Sequence, residues 1–158
     1  MNPRTKNRLI REAELQELMK VMAVIAERQL NDTPGMTSPE DVAALLMADM
    51  SERDQEELWV VLLDTRSRVM RVEHLYKGSL NTSMIRMGEL FKAAIRENAA
   101  AIILAHNHPS GDPSPSPEDI ALTRAAVQAG NLLDVNVLDH LIIGRGLYTS
   151  LKSKGLGF

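Results

Sequence analysis

Apolar positions change rhythm as the chain proceeds. From Arg8 to Leu30, the residues Leu9, Ile10, Leu15, Leu18, Met19, Met22, Ile25 and Leu30 recur at intervals of three and four, the period of an amphipathic helix. Asn31-Asp32-Thr33-Pro34-Gly35 breaks that pattern with five turn-forming residues. A second helix is expected from Ser38, carrying Val42, Leu45, Leu46 and Met50 inward. The rhythm then becomes that of strands. Leu58 to Leu63 is a short unbroken apolar run with β-branched residues, which predicts a buried strand ending at Asp64-Thr65-Arg66-Ser67. Val69 to Tyr76 alternates as the returning strand of a hairpin, closed by Gly78. A helix over Met87–Asn98, a buried strand over Ala99–Ala105, a stiff loop from Pro113 to Pro117, a helix over Glu118–Gly130 and a strand over Val135–Ile143 follow. This alternation predicts an α/β domain over residues 51–158, preceded by a helical extension over residues 1–50.

Composition narrows the partners. The 158 residues are 44% hydrophobic and 25% charged, ordinary for a water-exposed globular chain. Aromatic residues make up only 3%, so the core is expected to be aliphatic, drawn from Leu, Ile, Val, Ala and nine Met. No run is long enough for a membrane helix, and the first residues lack the apolar stretch of a secretory signal, so no membrane partner and a cytoplasmic location are expected. The absence of cysteine excludes a disulfide framework and restricts any metal site to nitrogen and oxygen ligands. The formal net charge of −3, with basic residues clustered only at Arg4, Lys6, Arg8 and Arg11, argues against nucleic acid as the main partner. The apolar stripe of the first helix would pack on its own domain or on a second copy, making a homodimer.

The chemistry concentrates between His106 and Asp119, in His106-Asn107-His108-Pro109-Ser110-Gly111-Asp112-Pro113-Ser114-Pro115-Ser116-Pro117-Glu118-Asp119. Two histidines two apart at a strand end project to the same side. Asp119 follows a loop stiffened by Pro113, Pro115 and Pro117, whose restricted unfolded state lowers the entropy lost on ordering. Two imidazoles, a carboxylate and an open position form the ligand set of a catalytic zinc rather than a structural one. The serine and aspartate also have a plain explanation: Ser116-Pro117-Glu118-Asp119 is a helix start, with a serine cap, a proline in the first turn and acids behind it. Ser38-Pro39-Glu40-Asp41 repeats the tetrapeptide without histidines, so capping accounts for those four residues wherever they occur. What sets the second copy apart is a His-x-His pair shortly before it.

His-x-His, seven residues, Ser, two residues, Asp resembles the JAMM signature of MPN/JAB metallopeptidase-like domains. His106-Asn107-His108-Pro109-Ser110-Gly111-Asp112-Pro113, Asp139-His140-Leu141-Ile142-Ile143-Gly144, Gly78-Ser79-Leu80-Asn81 and Asn98-Ala99-Ala100-Ala101 are similar to segments of the bacterial RadC family. The likeness runs from about Ser38 to Phe158. It implies an MPN/JAB (cytidine-deaminase-like) mixed β-sheet flanked by helices, one Zn2+ per chain held by His106, His108 and Asp119, and a glutamate at the start of a core strand that handles the proton of the attacking water. The family register, eight residues before the aspartate that ends the strand, selects Glu56. Its neighbour Glu57 would face the opposite side and be solvated, and Glu89 reads better as an acid favoured by a helix N-terminus. Ser116 would help stabilise a developing oxyanion. His140 fits supporting hydrogen bonding better than ligation, and His74 reads as an ordinary half-exposed residue. Arg86-Met87-Gly88-Glu89 departs from the His-Pro-Arg-Glu-like pattern of the family, which bears on the wall near that helix start and not on the zinc ligands.

The resemblance implies zinc-dependent hydrolysis of an amide bond in a peptide or protein substrate. Two other roles compete: DNA repair or nucleic-acid processing, and a binding module without activity. The helix-hairpin-helix module common before this domain in RadC-like proteins is not legible in the first fifty residues, and the net charge is acidic. Inactive relatives typically lack metal ligands, whereas all three stand in this chain.

Overall fold

The computed structural model describes residues 14–17, 19–22, 38–78 and 85–158. The chain forms two compact units, Met1–Pro34 and Gly35–Phe158. In the first, residues 14–17 and 19–22 are helical; the remainder of the helix expected over residues 8–30, and the break at 31–35, lie outside the described residues. Among the described residues, no helix is long and apolar enough to cross a membrane.

The second unit runs α1 (Pro39–Met50), β1 (Glu57–Leu63), β2 (Val69–Lys77), α2 (Met87–Arg96), β3 (Ala101–Asn107), α3 (Pro117–Leu133), β4 (Asn136–Ile143) and β5 (Tyr148–Ser150). The strands form one mixed sheet in the order β2-β1-β3-β4-β5. β1 is antiparallel to both β2 and β3, β3 and β4 are parallel, and β5 returns antiparallel to β4. The parallel pair is joined through α3, because parallel neighbours need a crossover long enough to hold a helix.

Both faces of the central strands are covered, which is why β1 and β3 read as continuous apolar runs rather than as alternation. The period of two still sorts the side chains. Leu58, Val60, Leu62, Ile102 and Leu104 meet Leu90 and Phe91 of α2 and Leu122 and Ala126 of α3. Trp59, Val61, Leu63, Ile103 and Ala105 meet Val42, Ala43, Leu46 and Met50 of α1. The sheet core is therefore not purely aliphatic: Phe91 is wholly buried and Trp59 nearly so, while Met50 is the buried methionine among the described residues.

The structure corrects one expectation. Leu45 points to solvent, and Ala43 takes the inward place beside Val42, Leu46 and Met50. α1 belongs to the same compact unit as the strands and packs against one face of the sheet. The short strand β5 carries no apolar run of its own and is an addition to the expected elements. The strand–helix order otherwise follows the expected one.

Candidate metal centre

The site forms at the carboxyl end of β3. His106 shares its side of the sheet with Ile102 and Leu104 and so faces α3. Just past the strand, the His108 backbone N–H donates to the Ile143 carbonyl at 2.8 Å, holding the departing loop against the end of β4. Gly144 permits this approach: a Cβ there would lie 2.4 Å from the Gly111 carbonyl oxygen and 2.9 Å from the Pro113 ring. The loop then delivers the N-terminus of α3 to the histidines.

Ser116 caps α3 and forms a reciprocal box with Asp119. The Asp119 N–H donates to Ser116 Oγ at 3.1 Å, and both the Ser116 N–H (2.7 Å) and its hydroxyl (2.8 Å) donate to Asp119 Oδ2. Ser38 and Asp41 form the same kind of box at the start of α1, so the internal duplicate behaves as capping alone requires. The difference is what the carboxylate faces. Asp119 is buried, with Oδ1 2.7 Å from His106 Nδ1 and Oδ2 3.3 Å from His108 Nε2.

One ligand atom from each of His106, His108 and Asp119 can be chosen so that all lie within 4.8 Å of one another. His108 Nδ1–H donates to the Asp112 carbonyl at 2.9 Å, which leaves Nε2 as the nitrogen turned toward Asp119. Among the described residues, His106 Nε2 and His140 Nε2 are buried without a hydrogen-bond partner, and of the two only His106 belongs to the cluster. The trio therefore offers a metal cation two imidazoles and one carboxylate as donors. Burial would raise the Asp119 carboxyl pKa, but hydrogen bonds from His106, His108 and the Ser116 backbone outweigh it and hold the group far below the usual range, ionised and ready to ligate. The same Asp119 contact raises His108, against the opposing effect of its partial burial.

A cavity of about 740 Å³ opens over this cluster and is bordered by Glu56, His106, His108, Ser116 and Asp119. Glu56 reaches it because β1 is antiparallel to β3: Leu58 pairs with His106, so the residues preceding β1 arrive at the metal-ligand end. The negative charge of Glu56 also acts on His108. Glu57 goes to the opposite side as expected, but it is buried rather than solvated. It accepts from Trp59 Nε1 at 2.8 Å and lies 3.6 Å from Arg53 and 3.7 Å from Lys77. Glu89 sits in the first turn of α2, exposed, where it accepts the Tyr76 hydroxyl at 2.6 Å and does not border this cavity.

His140 is fully buried. Its Nδ1 lies 2.7 Å from Thr123 Oγ1, whose own proton goes to the Asp119 carbonyl at 2.6 Å. Since the hydroxyl has one proton to give, His140 Nδ1 must be the donor in their contact, and His140 supports the ligand helix without joining the ligand cluster. His74, on β2, is exposed and stacks on Trp59 at 3.8 Å. Two residues of this neighbourhood carry little signal in the sequence. Thr123 lies one helical turn beyond Asp119, and Asn107, as the intervening residue of a His-x-His pair, faces away from the histidines.

Comparison with known proteins agrees with this architecture. Residues 36–156 match the model of the RadC-like JAB domain. A UPF0758 protein of Chloroflexus aggregans is 53% identical over 146 residues, covering 92% of this chain and 64% of the relative. One from Roseiflexus castenholzii is 56% identical over 121 residues, 77% of this chain and 52% of its own. Another, from Clostridium beijerinckii, is 46% identical over 142 residues, 90% and 61% respectively. The chain thus spans half to two thirds of the length of these relatives. By the extent of the family match and by its mixed sheet, the chain belongs to the RadC-like JAB domain family.

Proposed function

We propose that this domain is a zinc-dependent hydrolase of amide bonds in a peptide or protein substrate, with His106, His108 and Asp119 as ligands, Glu56 as proton carrier and Ser116 as oxyanion donor. The observation that carries the reading is the meeting of a ligand trio and a separate carboxylate, Glu56, at one open cavity. A site that only stored a cation would have no use for the second carboxylate.

A zinc ion held there supplies Lewis acidity and brings the pKa of its water from 15.7 to about 7. Glu56 takes the proton from the attacking water and returns it to the leaving amine, so one carboxylate serves both halves of the reaction. Ser116 has its hydroxyl proton on Asp119 Oδ2 at rest. Rotation of that hydroxyl turns the proton toward the oxygen that gains charge, while the Ser116 N–H keeps Asp119 in place. His108 is kept in its ligating tautomer by the Asp112 carbonyl throughout.

Glu56→Gln should retain about one zinc per chain and lose about 10²–10⁴-fold in turnover on a cleaved peptide from a library, the range general acid–base catalysis contributes. Asp119→Ala should lose the metal itself. Unchanged cleavage by Glu56→Gln would remove Glu56 from the mechanism, and zinc stoichiometry unaffected by Asp119→Ala would remove the ligand assignment.

A further inference from the structure

Asn107 stands between the two metal-ligand histidines, 1% exposed, with its side chain directed away from them. Its Oδ1 accepts the Glu57 N–H at 2.6 Å, and its Nδ2 donates to the Gln55 carbonyl at 2.9 Å. Those two backbone groups belong to the residues on either side of Glu56. The pairing of β1 with β3 reaches only to Leu58 and His106, so beyond that point the Asn107 amide takes over the role of the strand ladder. The Glu56 carbonyl is held separately by the Gly78 N–H at 2.8 Å. From the other side, the Glu57 carboxylate is anchored by Trp59 Nε1.

We propose that Asn107 is the positioning residue for Glu56, tying the proton carrier to the metal-ligand strand so that the carboxylate and the ligands share one rigid frame. The inference rests on the reading of Glu56 as the proton carrier. Asparagine alone fits the task. It has the acceptor for one peptide and the donor for the other on a single short side chain. Aspartate would set a carboxylate against the Gln55 carbonyl, and serine is too short to span both groups. Without the clamp, the buried Glu57 N–H and the more exposed Gln55 carbonyl lose this partner, and the segment carrying Glu56 is freer to shift. A displacement of about 1 Å at a reacting group costs on the order of 10²-fold in rate.

The test uses the full chain loaded with cobalt(II) in place of zinc, and compares wild type, Glu56→Gln, Asn107→Asp and the double variant. Metal content, the visible absorption bands and, where a cleaved peptide has been found, kcat are measured for each. Expected are one bound metal in all four, altered bands in Glu56→Gln, the same alteration in Asn107→Asp, and no further change in the double variant; kcat of Asn107→Asp should fall by about 10²-fold. A role confined to stability would lower Tm and metal content and leave the bands of the loaded protein as in wild type. Wild-type bands and kcat in Asn107→Asp, beside altered ones in Glu56→Gln, would overturn the positioning role and leave the proposed hydrolase standing, as would effects that simply add in the double variant. Wild-type bands and kcat in Glu56→Gln itself would overturn the role of Glu56, and this inference with it. Should Asn107→Asp fail to fold, Asn107→Ser carries the same expectations with less electrostatic disturbance.

Discussion

At the scale of single residues, the site depends on protons being in fixed places. Thr123 can donate only once, and it donates to the Asp119 carbonyl, so His140 must present Nδ1–H to it. Burial, and to a lesser degree the nearby His106, lower the His140 pKa from 6.5 to about 3, while the Asp119 charge opposes them. The sign of the linkage follows. Below about pH 6.5 the unfolded chain takes up a proton that the folded chain refuses, so the stability contributed by neutral His140 is lost as pH falls from about 6.5 toward 3, at about 1.4 kcal/mol per pH unit. In a titration of the metal-free protein by NMR, the ring signal of His140 should not move between pH 7 and 4.5. A midpoint above pH 5 would show that the ring is open to water.

At the scale of elements, each covering helix works through one face. α1 presents Val42, Ala43, Leu46 and Met50 to Trp59, Val61 and Ile103, while Leu45 lies 45% exposed. Leu46→Ala should therefore cost about 2–4 kcal/mol in a denaturant titration, as cavity-forming core substitutions do. Leu45→Ala should stay within about 0.5 kcal/mol. Equal costs for the two would mean that α1 turns a different face to the sheet. Periodicity fails at Leu45 because adjacent leucines at 45 and 46 both fit an apolar stripe read at helical spacing, and the choice between them is made by the surface that receives the helix. The hairpin turn is legible for a local reason: Asp64 Oδ1 accepts from the N–H groups of Arg66 at 2.8 Å and Arg68 at 3.0 Å, a contact closed within five residues. Those hydrogen bonds, led by the one from Arg68, hold the Asp64 carboxyl below its usual range.

At the scale of the whole molecule, the candidate ligands come from a strand, a loop and a helix, and the second carboxylate from a further segment. His106 lies near the end of β3, His108 begins the following loop, Asp119 lies in the first turn of α3 and Glu56 precedes β1. A metal that binds only this folded arrangement must stabilise the fold by mass action, about 2.7 kcal/mol when free zinc is 100 times its Kd. Thermal unfolding with and without zinc should accordingly show a Tm raised by several degrees in wild type and not in His108→Ala. An equal rise in both would place the stabilising metal elsewhere.

The features legible in the amino-acid sequence are those whose physics is local. Runs of apolar residues set the strands, serine, proline and aspartate set the two helix starts, and the spacing from His106 to Asp119 placed the ligand trio within one strand–loop–helix unit. Alternation along a strand separates Glu56 from Glu57, while the choice of Glu56 comes from the resemblance to the family register. The fate of Glu57 is not, since its burial depends on Trp59, Arg53 and Lys77 converging from different segments. Long-range pairing in the folded chain settles the rest. It makes α1 a layer of the sheet, runs β1 antiparallel to β3 so that Glu56 meets the histidines, and lets Asn107 bind two segments together across fifty residues of chain. These outcomes join parts distant in sequence, and the partner of a hydrogen-bonding or apolar group is not written in the group itself.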